Sequence, residues 1–371
     1  MSSHPRTWAI VLSAGDGTRL SVLTTDERGD AVPKQFCSLA GGHTLLQEAL
    51  QRAGSIVPRE RVCVIVARQH ERHWRHLLWS LPARNVIVQP RNCGTAIGVL
   101  LSALSIIERD LLARIIFLPA DHYVQDETLL ADSVRMAAML LTHDRDSVTL
   151  VGIEPDSVDP DLGYIVPGER VNDGSRRVTQ FVEKPSASAA RDLIALGAVW
   201  NSFIFMAHAK TLLALIRSRL PDIVGDMTTA LARHSRQDQR TRALDALYER
   251  LPVVDFSRDI VQGAESVLRV RTAPACGWAD LGTPQRVAQT LQRLRCAPAP
   301  RPRVGALLSP ALVDFSVNLA QIARELERLI SAAQIAAETS IDDPRMRQPS
   351  FDMDGDDSVP WMKAAVPQTN R

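Results

Sequence analysis

Short apolar runs alternate with amphipathic segments along the first 150 residues of the chain. The runs that predict buried strands lie at residues 8–12, 61–66, 85–88, 114–118 and 147–153. The segments with helical spacing lie between them, at residues 44–54, 69–81, 97–107 and 126–141. An alternation of buried strands and helices predicts an α/β fold with a doubly wound, mostly parallel sheet.

From residue 155 the apolar and polar positions alternate as in antiparallel strands. Two such segments, at residues 161–166 and 177–185, flank the turn residues 172–174, which read Asn-Asp-Gly. Helices are then predicted at residues 187–196, 209–219, 223–233 and 242–249, and a strand at residues 268–271. Thr283 followed by Pro284 predicts one more helix start, because threonine caps a helix and proline suits its first position.

The composition changes beyond residue 296. Residues 297–315 are rich in proline and predict a linker, and residues 316–341 repeat apolar positions at helical spacing. That amphipathic helix must pack on the folded domain or on another subunit, and the second alternative would give a homo-oligomer through this helix. Residues 342–371 are polar, contain prolines and an acidic stretch, and are expected to be disordered.

The composition excludes several classes of protein. With 45% hydrophobic and 23% charged residues and a net charge of +1, the chain gives no reason to expect nucleic-acid or membrane partners. No apolar run approaches the roughly 18 residues of a membrane span, and the first residues lack a signal-peptide core. Five scattered cysteines indicate neither a disulfide framework nor a zinc site, so we expect reduced thiols and a cytoplasmic location. His70, His73 and His76 are interpreted as part of a solvated helix face.

The stretch from residue 8 to residue 34 carries the first chemical signal. Gly15 and Gly17, which follow the first apolar run, can take positive φ and let a ligand approach the backbone. Successive amides in such a turn bind anions, and Arg19 and Lys34 add cationic donors suited to phosphate. We therefore predict a triphosphate site. A P-loop is excluded because its motif is absent, a dinucleotide fingerprint would need a third glycine at Leu20, and an ordinary strand-to-helix turn remains open on the glycines alone.

A family resemblance rests on these residues. The motif Gly15-x-Gly17-Thr18-Arg19-Leu20, followed by Pro33-Lys34-Gln35-Phe36, resembles the signature of sugar-1-phosphate nucleotidyltransferases. Its Pro-Lys-Gln-Phe form is most similar to that of mannose-1-phosphate guanylyltransferases. The resemblance extends to about residue 290 and implies a Rossmann-like nucleotidyltransferase domain at residues 1–296 with an antiparallel sugar-binding portion. Ala14 replaces a frequent glycine, and Ser21-Val22 replaces a usual Trp-Pro pair.

Three later motifs extend the resemblance. Asp121 follows a predicted parallel strand, where open α/β sheets place ligands, and its carboxylate suits Mg²⁺, although a lone aspartate would more often be a turn or cap. Glu183 and Lys184 precede Pro185, and a pocket that uses both side chains requires the strand to twist or end there. Residues 200–205 resemble a Trp-Asn-Ser-Gly-Ile-Phe element in which Phe203 replaces the glycine.

The resemblance implies a role for each matching residue. Nucleotide contacts are expected from Ala14, Gly15, Gly17, Thr18, Arg19, Gln89, Asn92, Gly94 and Thr95. Sugar-phosphate contacts are expected from Gly163, Glu183, Lys184 and Asn201, and Mg²⁺ ligation from Asp121 and Asp280. The catalytic residues are expected to be Arg19, Lys34, Asp121 and Lys184. Cys93-Gly94 interrupts the family's Arg-Asn-Thr-Ala stretch, so the atoms that contact the base stay open.

The expected reaction is nucleotidyl transfer from an NTP, with GTP favoured, to a hexose 1-phosphate, with mannose 1-phosphate favoured. Its products would be a nucleotide sugar and pyrophosphate, and its cofactor Mg²⁺. A uridylyl- or thymidylyltransferase acting on glucose 1-phosphate is the alternative within the class. A non-catalytic paralogue that senses nucleotide sugars is the alternative outside it, although a sensor has no need of two metal-binding carboxylates.

Overall fold

The computed structural model describes residues 6–21, 23–26, 29–39, 41–232 and 237–296. The strands are β1 (Thr7–Ser13), β2 (Val62–Ala67), β3 (Val86–Gln89), β4 (Arg114–Pro119), β5 (Val148–Ile153), β6 (Gly163–Arg170), β7 (Arg176–Glu183), β8 (Val199–His208) and β9 (Leu268–Thr272). The α-helices are α1 (Leu45–Ile56), α2 (Glu71–Trp74), α3 (Thr95–Ile107), α4 (Glu127–Leu140), α5 (Ala187–Ala195), α6 (Ala209–Arg219), α7 (Pro221–Ala232), α8 (Gln237–Arg250) and α9 (Pro284–Cys296). The predictions for residues 297–315, 316–341 and 342–371, and for position 22, lie outside the described residues.

These strands form one mixed sheet in the order β3-β2-β1-β4-β8-β5-β9-β7-β6. The pairs among β1 to β4 are parallel, as is the pair of β5 with β9. Each antiparallel pair among the described strands involves β7 or β8. The expectation of a mostly parallel sheet holds for β1 to β4, whereas β8 enters antiparallel between β4 and β5 and joins the two portions of the sheet.

Two hydrophobic cores cover the two faces of this sheet. Successive residues of β1 alternate between them: Ile10 packs with α3, α6, α7 and α8, whereas Val11 packs with α1, α4 and α5. This alternation follows from the period of two in a strand, and it produces helices on both faces of the sheet. All the described residues belong to one compact unit.

Helix ends agree with the capping chemistry of the sequence. Thr44 forms a capping box with Gln47 before α1, and Asp126 accepts two backbone N–H bonds at the start of α4. Thr283 accepts from the backbone N–H of Arg286 where α9 begins. The helix predicted over residues 69–81 is wrong beyond Trp74, because the chain turns irregularly there while Trp74 and Leu78 still pack in the core.

Two further expectations bear on the surroundings of the chain. Among the described residues, Cys37, Cys63, Cys93 and Cys276 are free cysteines. Across the part of the chain that the structure describes, no helix is long and apolar enough to cross a membrane.

Candidate active site

Loops at the carboxyl ends of β1 and β4 form the centre of the site. Leu12 of β1 lies beside Pro119 of β4 in parallel register, so the loop at residues 14–20 and Asp121 emerge at the same edge of the sheet. Lys34 reaches this edge, where its Nζ lies 3.1 Å from Asp121 Oδ2 and donates to the carbonyl oxygen of Asp280 at 2.8 Å. The structure thus brings Lys34, Asp121 and Asp280 together, as the sequence motifs predict.

The two glycines of the loop at residues 14–20 do different things. Gly17 has φ of 63°, and a Cβ there would lie 3.0 Å from the backbone nitrogen of Lys34, so only glycine allows the loop to pack on residue 34. Gly15 has no positive φ, contrary to the expectation, but the space beside its Cα is open. The buried amide of Gln35 donates to the carbonyl oxygen of Gly15 at 2.7 Å and holds the loop in place, a role that the sequence motif did not reveal.

Arg19 supplies an exposed cation beside the acid pair, Asp121 and Asp280. It follows Thr18 in a short 3₁₀ turn that begins after Gly17, and its guanidinium lies 3.7 Å from the position of a Cβ on Gly282. Among the described residues the Arg19 guanidinium has no hydrogen-bond or ion-pair partner. It is therefore free to contact a phosphate group.

The acid pair is held by a short backbone bridge between its two loops. Tyr123 and Ala279 exchange both backbone hydrogen bonds at 2.9 Å, which fixes the loop of Asp121 against that of Asp280. A Cβ on Gly282 would collide with the Asp280 carboxylate, so the glycine leaves room for this acid. Asp280 Oδ1 is buried and has no hydrogen-bond partner, as expected of an oxygen that awaits a ligand.

The pKa values of the two acids shift in opposite directions. Burial would raise the pKa of Asp121, but the Lys34 ammonium, 3.1 Å away, outweighs it and lowers the pKa. Burial raises the pKa of Asp280, and Lys34 offsets this only in part. His122 stays neutral, since burial lowers its pKa to about 4 and Trp278 Nε1 donates to its Nδ1 at 3.2 Å. The His122 ring lies next to Asp121, with its Nε2 3.6 Å from Asp121 Oδ1, and the sequence motif did not reveal this contact.

The residues expected to contact the nucleotide base differ in their surroundings. Asn92 lies at the site, where its Nδ2 donates to Asp16 at 2.9 Å. Gln89 is buried under α3, with an unpartnered Oε1 that faces Gly98. Gly94 packs directly on the backbone of residue 254, and the Thr95 hydroxyl accepts from the backbone N–H of residue 256 at 2.7 Å. Asn92 is thus the side chain of this group that faces Asp16 and the loop at residues 14–20.

The residues expected to hold the sugar phosphate meet at the ends of β6, β7 and β8. Gly163 pairs with Glu183, and a Cβ on Gly163 would lie 2.6 Å from Glu183 Oε2 and 3.3 Å from Asn201 Cβ. Lys184 has φ of 49°, and its Nζ lies 3.7 Å from Glu183 Oε1. The left-handed conformation of Lys184 ends the strand. It brings the side chains of Glu183 and Lys184 together, as was expected for a strand that ends before Pro185.

Backbone strain is concentrated at the site. Among the described residues, the non-glycine residues with positive φ are Lys184, Phe203 and Leu281. Each lies within two residues of an expected functional residue: Glu183, Asn201 and Asp280. Strained backbone persists where surrounding contacts over-determine it, and it is common at functional sites.

The strain at Phe203 predicts an unusual order of stabilities. Phe203 has φ of 56° in a bulge of β8, and its ring contacts those of Phe205 and Phe256. Phe203→Gly and Phe203→Ala lose the same ring contacts, but only glycine relieves the backbone strain. We expect the glycine variant to be more stable than the alanine variant by about 1 kcal/mol in denaturant unfolding. Equal stabilities, or the usual preference for alanine, would contradict the strain.

Glu183 predicts a pH-dependent stability. Burial, with Asp255 nearby, raises its pKa from 4.5 to about 7, although Lys184 opposes the shift. The folded protein favours the protonated form of Glu183. The resulting stabilisation is complete below pH 4.5 and is lost as the pH rises to 7. Glu183→Gln should therefore gain stability over the parent between pH 4.5 and 7, by up to about 3 kcal/mol, in urea unfolding at several pH values. Glu169→Gln, at an exposed position of β6, should show a constant difference; a parallel response of both variants would contradict the raised pKa.

Known proteins share sequence and fold with this chain. A protein-family model described as nucleotidyl transferase matches residues 8–295. The chain is 30% identical over 280 residues to alginate biosynthesis protein AlgA of Pseudomonas syringae pv. tomato, covering 74% of this chain and 56% of that protein. It is 28% identical over 284 residues to a putative mannose-1-phosphate guanylyltransferase of Vibrio cholerae serotype O1, covering 74% and 58%. The chain thus spans little more than half the length of these curated relatives.

A solved structure is similar to this chain over most of the length of the solved protein. It is a Thermus thermophilus protein described as mannose-1-phosphate geranyltransferase, which superposes with a TM-score of 0.65 at 30% identity. The match covers 77% of this chain and 79% of that one. Together with the family match over residues 8–295, this similarity establishes that the chain belongs to the nucleotidyl transferase family.

Proposed function

We propose that this chain transfers a nucleotidyl group from GTP to mannose 1-phosphate and releases pyrophosphate. The observation that carries the proposal is the position of Lys34, which contacts Asp121 and the backbone of Asp280 at 3.1 and 2.8 Å. One cation and two carboxylates are thereby held at the edge of the sheet where the loop at residues 14–20 ends β1. The choice of GTP and mannose 1-phosphate rests on the Pro-Lys-Gln-Phe motif and on the name of the Vibrio cholerae relative.

The chemistry requires no nucleophile from the protein. A phosphate oxygen of the sugar 1-phosphate attacks the α-phosphorus of the NTP and forms a new P–O bond. The bond between the α-phosphorus and the oxygen that bridges to the β-phosphate breaks, and pyrophosphate leaves with its electron pair. Catalysis then consists of holding two polyanions in line and stabilising charge at the α-phosphate. Arg19 and the backbone amides after Gly15 would bind the triphosphate, and Lys34 would neutralise charge near the reacting phosphorus.

Asp121 and Asp280 are suited to Mg²⁺. Within residues 6–296, apart from the positions that the structure leaves undescribed, no group of three or more His, Cys, Asp or Glu side chains could hold a metal. Mg²⁺, however, is commonly bound by one or two carboxylates together with waters and substrate phosphates. The unpartnered Asp280 Oδ1 fits such an ion, which would supply charge stabilisation at the phosphates.

The sugar phosphate would bind where Gly163, Glu183 and Asn201 meet. Lys184 would contact its phosphate, and Glu183 and Asn201 would contact the sugar hydroxyls. In the described structure Asn201 Nδ2 donates to the Ser257 hydroxyl at 3.3 Å, and its Oδ1 accepts from the backbone N–H of Phe203 at 3.1 Å. These bonds fix the amide, and the absence of a side chain at Gly163 leaves space between Asn201 Cβ and Glu183 Oε2. We include the cytoplasmic location in this proposal, which the free thiols support.

The test is pyrophosphate release by the full chain with Mg²⁺. GTP, UTP, dTTP, ATP and CTP are each supplied with mannose 1-phosphate and with glucose 1-phosphate, and Lys184→Met, prepared in the same way, controls for contaminating enzymes. A single strong signal with GTP and mannose 1-phosphate is expected. A signal with UTP or dTTP and glucose 1-phosphate would retain the reaction and replace the substrates. No release with any pair from folded protein would overturn the proposal in favour of a nucleotide-sugar sensor.

A further inference from the structure

Asp16 places a carboxylate inside the loop that would bind the triphosphate. It stands between Gly15 and Gly17, and its side chain is 41% exposed. One oxygen accepts from Gln69 Nε2 at 2.9 Å and lies 3.3 Å from His70 Nε2. The other oxygen accepts from Asn92 Nδ2 at 2.9 Å. Asp16 therefore connects the loop at residues 14–20 to Asn92 and to the turn that precedes α2.

The partners of Asp16 are neutral donors. Gln69 and Asn92 contribute amides, and burial lowers the pKa of His70, although Asp16 opposes this, so the imidazole is neutral at pH 7. Among the described residues no lysine or arginine forms an ion pair with Asp16. A carboxylate without a cation beside a phosphate site repels the phosphate, and a hydrogen-bond donor on another part of the nucleotide would offset this cost.

The base is the part of the nucleotide that is expected nearest to Asp16. Asn92 begins the segment expected beside the nucleobase, and it is bonded directly to Asp16. We propose that Asp16 selects the base by accepting hydrogen bonds from guanine N1–H and N2–H₂, an inference that rests on the proposed function. Gln69 and Asn92 hold the carboxylate from either side, so they act as positioning residues for this contact.

The chemistry of the bases makes the contact selective. An ionised carboxylate only accepts hydrogen bonds, and guanine presents two adjacent donors on its Watson–Crick edge. Uracil and thymine present one donor between two acceptors, and adenine and cytosine present an acceptor beside their amino group. The carboxylate would therefore meet acceptor atoms on each of those bases, whereas guanine satisfies both of its oxygens.

Binding of nucleotides to the full chain, measured by calorimetry with Mg²⁺ and without sugar phosphate, tests the proposal. GTP is compared with ITP, which lacks only the 2-amino group, and with UTP. The parent protein should bind GTP about 10- to 100-fold more tightly than ITP. Asp16→Asn should lose most of this preference, whereas Asp226→Asn, which removes an exposed carboxylate paired with Arg250, should keep it.

The comparison of GTP with ITP uses the parent protein, so it can overturn the proposal even where Asp16→Asn fails to fold. Equal affinities for GTP and ITP would overturn the proposal, as would an Asp16→Asn variant that loses GTP and ITP affinity equally. Preference for UTP, with pyrophosphate release intact, would overturn the role of Asp16 and leave nucleotidyl transfer standing. Absence of binding by any nucleotide would instead overturn the proposed function.

Discussion

Replacing Lys184 with methionine is expected to lower kcat/KM for the hexose 1-phosphate about 100- to 1000-fold. Charge-assisted contacts to a transferring phosphoryl group contribute on the order of 3–4 kcal/mol to transition-state stabilisation. Methionine preserves much of the side-chain volume, so the loss reports the charge. Steady-state pyrophosphate release at varied sugar phosphate and saturating NTP measures the effect.

The control for this prediction is Lys210, a lysine that has no expected role in the site. Lys210 is exposed on α6, and Lys210→Met should leave both kcat and KM within about twofold of the parent. The NTP dissociation constant of Lys184→Met should also stay within a few fold, because Lys184 would contact the second substrate. Unchanged sugar-phosphate kinetics in Lys184→Met would show that another cation binds the phosphate, and exposed Arg258, whose charge acts on Glu183, would be the first to examine.

The sequence predicted whether a segment is a strand or a helix where local residue chemistry determines the secondary structure. The strands β1, β2 and β4 are continuous apolar runs because both of their faces are buried. The segment at residues 69–81 shows the limit of the same reasoning. Its apolar spacing correctly identified the side chains that pack, such as Trp74, but apolar spacing does not determine the hydrogen-bond pattern that makes a helix.

The position of β8 in the sheet could not be predicted from the local sequence pattern. It lies between β4 and β5 although β6 and β7 precede it in sequence, and an alternating pattern does not identify which strand will be its neighbour. This insertion brings Asn201 near Glu183, with Gly163 between them, so the sugar side of the site depends on a pairing that sequence periodicity does not encode.

The site was predicted residue by residue better than it was predicted in its contacts. Lys34, Asp121 and Asp280, each singled out by its motif, lie together in the structure, and the sheet topology explains the position of Asp121, which follows the end of β4. The replacement of a family glycine by Phe203 was a usable signal, since that position has positive φ. The bonds of Asp16 to Gln69 and Asn92 left no such signal, because they join three segments that are distant in sequence.

The second large effect concerns Asp280, where activity and stability should change in opposite directions. The residue is 9% exposed, and its Oδ1 has no hydrogen-bond partner. Asp280→Asn should lower pyrophosphate release about 1000-fold, because the amide cannot replace a charged Mg²⁺ ligand. The same change should raise the free energy of unfolding by about 1 kcal/mol without Mg²⁺, since a neutral group avoids the cost of burying the charge.

Asp159→Asn is the matched comparison for the stability effect. Asp159 is another shielded carboxylate, but it is bonded to Arg286 at 2.9 Å, so its neutralisation should cost about 1–3 kcal/mol. Urea unfolding of both variants with and without Mg²⁺ separates the two cases. Mg²⁺ should stabilise the parent and Asp159→Asn more than Asp280→Asn, because only the latter lacks a metal-binding carboxylate. If Asp280→Asn is destabilised and responds fully to Mg²⁺, Asp280 is a structural residue and the ion must be bound elsewhere, because removal of a true ligand would weaken the response.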